Sequence, residues 1–157
     1  MERFEKYIES EIEYGLRALI LVSVLNKCQL SFEKILIFDY MMTNINDFDS
    51  TMESVHPKTA YRFAKLIVKR QSYKAGLNYC ISKNLIDVEY NSNGIIYRNT
   101  SLTSEILKYL QMPYVQKLKE CATRLNELFY SMTVEELQNI VDDKIKEQGI
   151  EFRAVEG

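Results

Sequence analysis

Residues 12–25 restrict the fold more than any other stretch. Ile12, Leu16, Leu19, Ile20 and Val24 recur at helical spacing, and Leu21, Val22 and Leu25 widen the apolar surface around the same helix. A helix of that kind belongs at the centre of a core, and the remaining elements have to pack around it. The spacing predicts a helix over 2–27 with a break near Ser10. Glu9, Glu11 and Glu13 stand in its early turns, beside the positive end of the helix dipole. Gly15 falls inside the pattern, where it costs about 1 kcal/mol relative to Ala, which implies a close neighbour. The best apolar run, 18–25, is interrupted by Ser23 and is far short of the roughly 20 residues that span a bilayer. The opening MERFEKYIESEIEY is charged, unlike a signal peptide. These features point to a soluble, cytoplasmic protein with no membrane partner.

A chain of 157 residues is one domain by length, and 46% hydrophobic with 27% charged residues excludes wholesale disorder. Ser31 is placed to cap a helix over 32–43, with Phe32, Ile35, Leu36, Phe38 and Met42 as its apolar positions. Residues 44–57, NINDFDSTMESVHP, break the pattern and read as a long loop of the functional or mobile kind. A third helix is expected from Lys58 to about Arg70, with Ala60, Phe63, Ala64 and Ile67 inward. The segment 72–83 continues it, with Leu77, Cys80 and Ile81 inward. Alternation over 85–90, a turn at 91–94 and a return over 95–98 predict a hairpin.

Thr100 to Ser104 offer caps for a helix over 104–111, and Pro113 starts another. In that helix Val115, Leu118, Ala122, Leu125 and Phe129 form a packing seam. Thr133 with Glu136 is a capping box for a last helix, 134–148, ended by Gly149 and followed by a frayed or partner-bound tail. The expected fold is mainly α with a small β-hairpin: a winged helix-turn-helix-like core over 1–112 and a C-terminal helical extension over 113–157 packed on it.

Charge is distributed unevenly along this chain. Residues 54–86 hold 7 bases and no acid, while 1–53 hold 10 acids and 5 bases and 87–157 hold 12 acids and 8 bases. Lys58, Arg62, Lys65 and Lys69 fall on one helical face, and Arg70, Lys74 and the hairpin's Arg98 extend the positive region. Such a stripe suits phosphate contact with counterion release, with Tyr61, Tyr73 and Tyr79 interleaved. It also suits an acidic protein partner or a plain solvated face. The acidic pI of about 5.6 argues against a free-standing, strong DNA binder.

No pattern of catalytic chemistry converges. His56 is the single histidine and has no Cys or clustered acids beside it, which makes it a poor metal ligand or general base. Cys28, Cys80 and Cys121 are odd in number and contain no CxxC pair, so free thiols are expected. Asp39, Asp47, Asp49 and Glu53 do not match an EF-hand, and they and the helix pair Asp142 and Asp143 read as solvated charges. No nucleotide-binding, zinc-protease or nucleophile-elbow motif is present. The expectation is a non-enzyme with no cofactor and no metal.

Across most of its length the chain resembles the small middle component of ABC-three-component systems, the group that includes Lamassu-type antiphage defence. The residues that carry the resemblance are Glu13-x-Gly15-Leu16-Arg17-Ala18-Leu19, Asp39-Tyr40, His56-Pro57 with Tyr61, Arg70, Gly94-Ile-x-Tyr97-Arg98 and Pro113-Tyr114. The resemblance implies a non-enzymatic subunit that bridges or restrains an SMC- or Rad50-like ABC ATPase and an effector, commonly a nuclease, with DNA as a further contact. It transfers no catalytic residue. The competing reading is a free winged-helix transcription regulator, a homodimer joined through the 114–130 seam and bound to paired half-sites.

Overall fold

The computed structural model describes residues 11–55 and 70–156, with side chains as far as 147. The described residues form α1 (Glu11–Val24), α2 (Phe32–Thr43), a short 3-10 helix (Ile45–Asp47), α3 (Arg70–Ser82), β1 (Ile86–Asn91), β2 (Gly94–Asn99), α4 (Ser101–Tyr109), α5 (Pro113–Phe129) and α6 (Val134–Glu156). The chain is therefore mainly α with one antiparallel hairpin. The helix expected from Lys58, and the loop end at His56-Pro57, lie outside the described residues.

α1 is the centre of the core. Tyr14, Ala18, Leu19, Ile20, Leu21 and Val22 are buried, and α2, α3, α4, α5 and β2 all touch the helix. Along the strip Ile12, Leu16, Ile20 the side chains pass from exposed through half-buried to buried, so cover on this side begins more than a turn into the helix. Ile12, expected inside, is outside for that reason. Gly15 does have a close neighbour. α1 crosses α3 at Gly15 and Gly76, where a Cβ built on Gly76 would lie 2.3 Å from the Glu11 carbonyl oxygen. Two residues without side chains let the backbones touch.

Ser31 caps α2, its hydroxyl accepting from the Lys34 amide at 3.2 Å. From Ile35 to Thr43 every residue of α2 is buried, because α1, β2, α5 and α6 pack around it. The loop that follows is more structured than its composition suggests. Ile45 is buried in the 3-10 turn. The Asn46 amide donates to Ser54 Oγ at 3.0 Å, and the Asn46 side chain donates to the Met52 carbonyl at 2.8 Å. Asp49 then ties the loop to Arg124 on α5 at 2.7 Å.

The hairpin pairs Ile86 with Asn99 through to Asn91 with Gly94. Gly94 adopts φ 105°, which favours glycine, and the Asn91 carboxamide accepts from the Asn93 amide at 2.8 Å. Leu30, between α1 and α2, bridges to Tyr97, whose N–H donates to the Leu30 carbonyl at 2.8 Å. Among the described residues, helix, bridge, helix, 3-10 turn, helix and hairpin follow in that order.

Three boundaries differ from expectation. α1 ends at Val24 instead of 27; α3 is already helical at Arg70, where the described residues resume, and Ile81, expected inward, is half-buried. α4 begins at Ser101 instead of 104, because Thr100 is the cap: its hydroxyl accepts from the Leu102 amide at 3.1 Å, and the Thr100 amide donates to Thr103 Oγ1 at 2.8 Å. α6 does not end at Gly149 but runs to Glu156; glycine weakens a helix without obliging it to stop. Elsewhere the capping box is present, with Glu136 N–H donating to Thr133 Oγ1 at 3.1 Å and Thr133 N–H to the Glu136 carboxylate at 3.3 Å. Val115, Leu118, Ala122 and Leu125 of the α5 seam are fully buried against α1 and α2. These four positions therefore face inward, while Phe129 is half-buried and Leu128 and Tyr130 are exposed.

Candidate functional site

Of the seven cations singled out in the sequence, Lys58, Arg62, Lys65 and Lys69 lie outside the described residues. Arg70 and Lys74 come together. Both sit over the Phe32 ring, the Arg70 guanidinium at 5.0 Å and the Lys74 ammonium at 4.5 Å from its centroid. Arg70 also pairs with Glu33 at the surface. Lys74 donates to the Tyr97 hydroxyl at 2.6 Å and lies 5.2 Å from that ring. Its contacts are thus aromatic and neutral, with no carboxylate among its described partners. Arg98 does not join this pair. It points to the opposite face of β2 from Tyr97 and pairs with Glu89 on β1.

No acid occurs in α3, and its outer side carries Arg70, Gln71, Asn78, Tyr79 and Ser82, followed by Lys83. Lys83 lies 5.7 Å over the Tyr79 ring. This surface can neutralise phosphate or meet an acidic protein face. The hairpin beside it is different. Asp87 and Glu89 offset Arg98, and its tip is the exposed cross-strand pair Tyr90 and Ile95. Its chemistry suits apolar contact better than phosphate.

A second polar arrangement is buried. Arg17 on α1 makes two parallel bonds to Asp39 on α2, Nε to Oδ1 at 2.8 Å and Nη2 to Oδ2 at 2.9 Å. Tyr73 on α3 donates to the same carboxylate at 3.2 Å, and the Tyr14 ring lies 4.8 Å from the guanidinium. Glu13 stands 4.0 Å from Arg17 and accepts the hydroxyl of Tyr114 on α5. One charged group thus joins α1, α2, α3 and α5.

Burial is the largest influence on Arg17 and opposes its charge, yet the charge and hydrogen bonds of Asp39, together with Tyr73 and Tyr114, more than offset it and raise the arginine pKa. Burial also raises the Glu13 pKa, against the hydrogen bond from Tyr114 and the charge of Arg17. Tyr73 and Tyr114 are raised by burial first and by their carboxylate partners second. The network holds helices together. Asp39 was expected among solvated loop acids but is 1% exposed. The missed signal was Arg17 itself, a lone charge within an apolar helix that requires a buried partner.

Among the described residues no three His, Cys, Asp or Glu side chains gather as a metal site requires. Cys28, Cys80 and Cys121 are free thiols, and burial pushes Cys80 up to about 11. A shallow, open depression lined by Met52, Lys119, Thr123 and Arg124 lies between the 44–55 loop and α5. No described helix is long and apolar enough to cross a membrane.

Residues 7–151 match the family model described as ABC-three component (ABC-3C) system Middle Component 2. No curated protein and no solved structure matches the chain.

Proposed function

Because the chain belongs to the ABC-three component system Middle Component 2 family, we propose that it is a non-catalytic subunit that joins an SMC- or Rad50-like ABC ATPase to a nuclease-type effector. The setting is antiphage defence of the Lamassu type. The observation that carries the reading is the family match over nearly the whole chain, which implies other components to work with. The absence of acids from α3 supports a secondary contact with DNA, and Lys58, Arg62, Lys65 and Lys69 precede that helix in the sequence.

A winged-helix reading of the element order favours one alternative, a free-standing DNA-binding regulator. Its weak points are a hairpin that is not basic and an α5 seam that is mostly buried.

The test is a pull-down of the tagged protein expressed from its native locus. Recovery of an ABC ATPase and an effector in fixed ratio is the expected result. Recovery of this chain alone, shifting one specific DNA sequence, favours the regulator and overturns the subunit reading. Within a recovered complex, Lys65→Glu with Lys69→Glu weakens DNA binding at moderate salt. Unchanged binding by a folded variant removes DNA contact from the proposal.

A further inference from the structure

The helix after the hairpin has two apolar sides. Thr103 and Leu107 face the core. On another side Leu102, Ile106 and Tyr109, spaced i, i+4, i+7, are 46%, 39% and 82% exposed, and Met112 just beyond the helix is 51% exposed. Ile12 is exposed as well, next to Glu13, which accepts the hydroxyl of Tyr114. That contact brings the start of α1 to the Met112 end of the stripe. Single exposed apolar residues are ordinary, but a continuous stripe of them marks an interface.

The charges along the stripe indicate what covers it. Glu105 and Lys108 flank it on one side, 3.1 Å apart, and they are equidistant from the midpoint between Ile106 and Leu107. We propose that this stripe docks a second copy of the chain, the two α4 helices running antiparallel across a twofold axis at that midpoint. The axis brings the two apolar stripes into contact and sets each Glu105 opposite Lys108 of the partner subunit. A parallel twofold would put this flank of each helix on opposite sides of the seam and leave the charges without a partner across it. The stripe spans about three turns, roughly 16 Å, which is small for a stable interface. The expected dimer is therefore reversible and of micromolar strength. It uses a surface separate from the α3 face and does not depend on the function proposed above.

Sedimentation equilibrium on the full chain, over a concentration series reaching hundreds of micromolar, tests the proposal. The wild type is expected to show a reversible monomer–dimer equilibrium. Glu105→Lys and Lys108→Glu, each alone, weaken it roughly tenfold or more, because both facing pairs become like-charged. An equimolar mixture of the two single variants dimerises again, since every facing pair is then of opposite sign. Ile106→Arg, at an exposed position, gives monomer with an unchanged circular dichroism spectrum. A wild type that stays monomeric, or a mixture that does not recover, overturns the proposal. A monomer whose co-purification with another component is lost in Ile106→Arg also overturns it, and assigns the stripe to that component.

Discussion

Gly15 and Gly76 lie back to back where α1 crosses α3, so close that a Cβ on Gly76 would come 2.8 Å from the Gly15 amide nitrogen. The atoms in the way are backbone, and rotating a side chain cannot relieve the contact. Gly76→Ala is expected to lose about 2 kcal/mol or more of stability by forcing the helices apart, despite the better helix propensity of Ala. Gly15→Ala should cost less, since one of its two nearest obstacles is the Cys80 sulfur at 3.1 Å, which can turn. Urea titration of both variants measures the difference. Equal, small losses would mean that the crossing is looser than the distances indicate.

Arg17 and Asp39 are 5% and 1% exposed. Removing one partner leaves the other charge buried and unpaired. Arg17→Leu is expected to destabilise the fold by about 3–5 kcal/mol. Replacing both, as Arg17→Leu with Asp39→Leu, should recover much of that loss, and a double-mutant cycle in denaturant reads the coupling. A double variant as unstable as the sum of the singles would contradict a strong pairing.

Asp49 accepts from Thr51 and then Arg124, which together bring its carboxyl down to about 2 from 3.8. A lowered native pKa favours the folded, ionised form, so this contribution is present above 3.8 and is lost as pH falls towards 2. Glu13 has the opposite sign. Burial raises it above 4.5, so its contribution is present below 4.5 and declines as pH rises through the native value. In stability–pH profiles, Asp49→Asn should flatten the acid limb, and Glu13→Gln should remove a decline above 4.5. A profile that neither change alters would refute both assignments.

The Thr133–Glu136 capping box satisfies two amide groups at the start of α6. Thr133→Ala should cost about 1 kcal/mol, and Thr133→Ser much less. Thermal unfolding of the pair separates loss of the cap from a general effect of substitution at that site.

Local signals are legible in the sequence. The Ser31 cap fixed the start of α2, Gly94 and Asn91 fixed the hairpin turn, and Pro113 and Thr133 fixed the starts of α5 and α6. Each is a short-range backbone event. The errors came from competition or from distance. Thr100 and Thr103 both resemble caps, and only the reciprocal bond shows that Thr100 wins. The Arg17–Asp39 pair spans 22 residues and the Tyr114–Glu13 contact 101, beyond any periodicity. The cations Arg70 and Lys74 were legible as a basic face, but their shared seat on Phe32 needed the fold.

The buried ion pair also answers a question posed by an apolar helix. A cylinder greasy on nearly every side gains similar solvation energy at many rotations about its long axis, so the hydrophobic effect alone leaves α1 free to turn within its sheath. Only one rotation sets the guanidinium against Asp39, and that rotation also turns the bare Gly15 backbone towards Gly76. Polarity placed at a single point thus acts as a key on a shaft, giving one native orientation where packing would allow several.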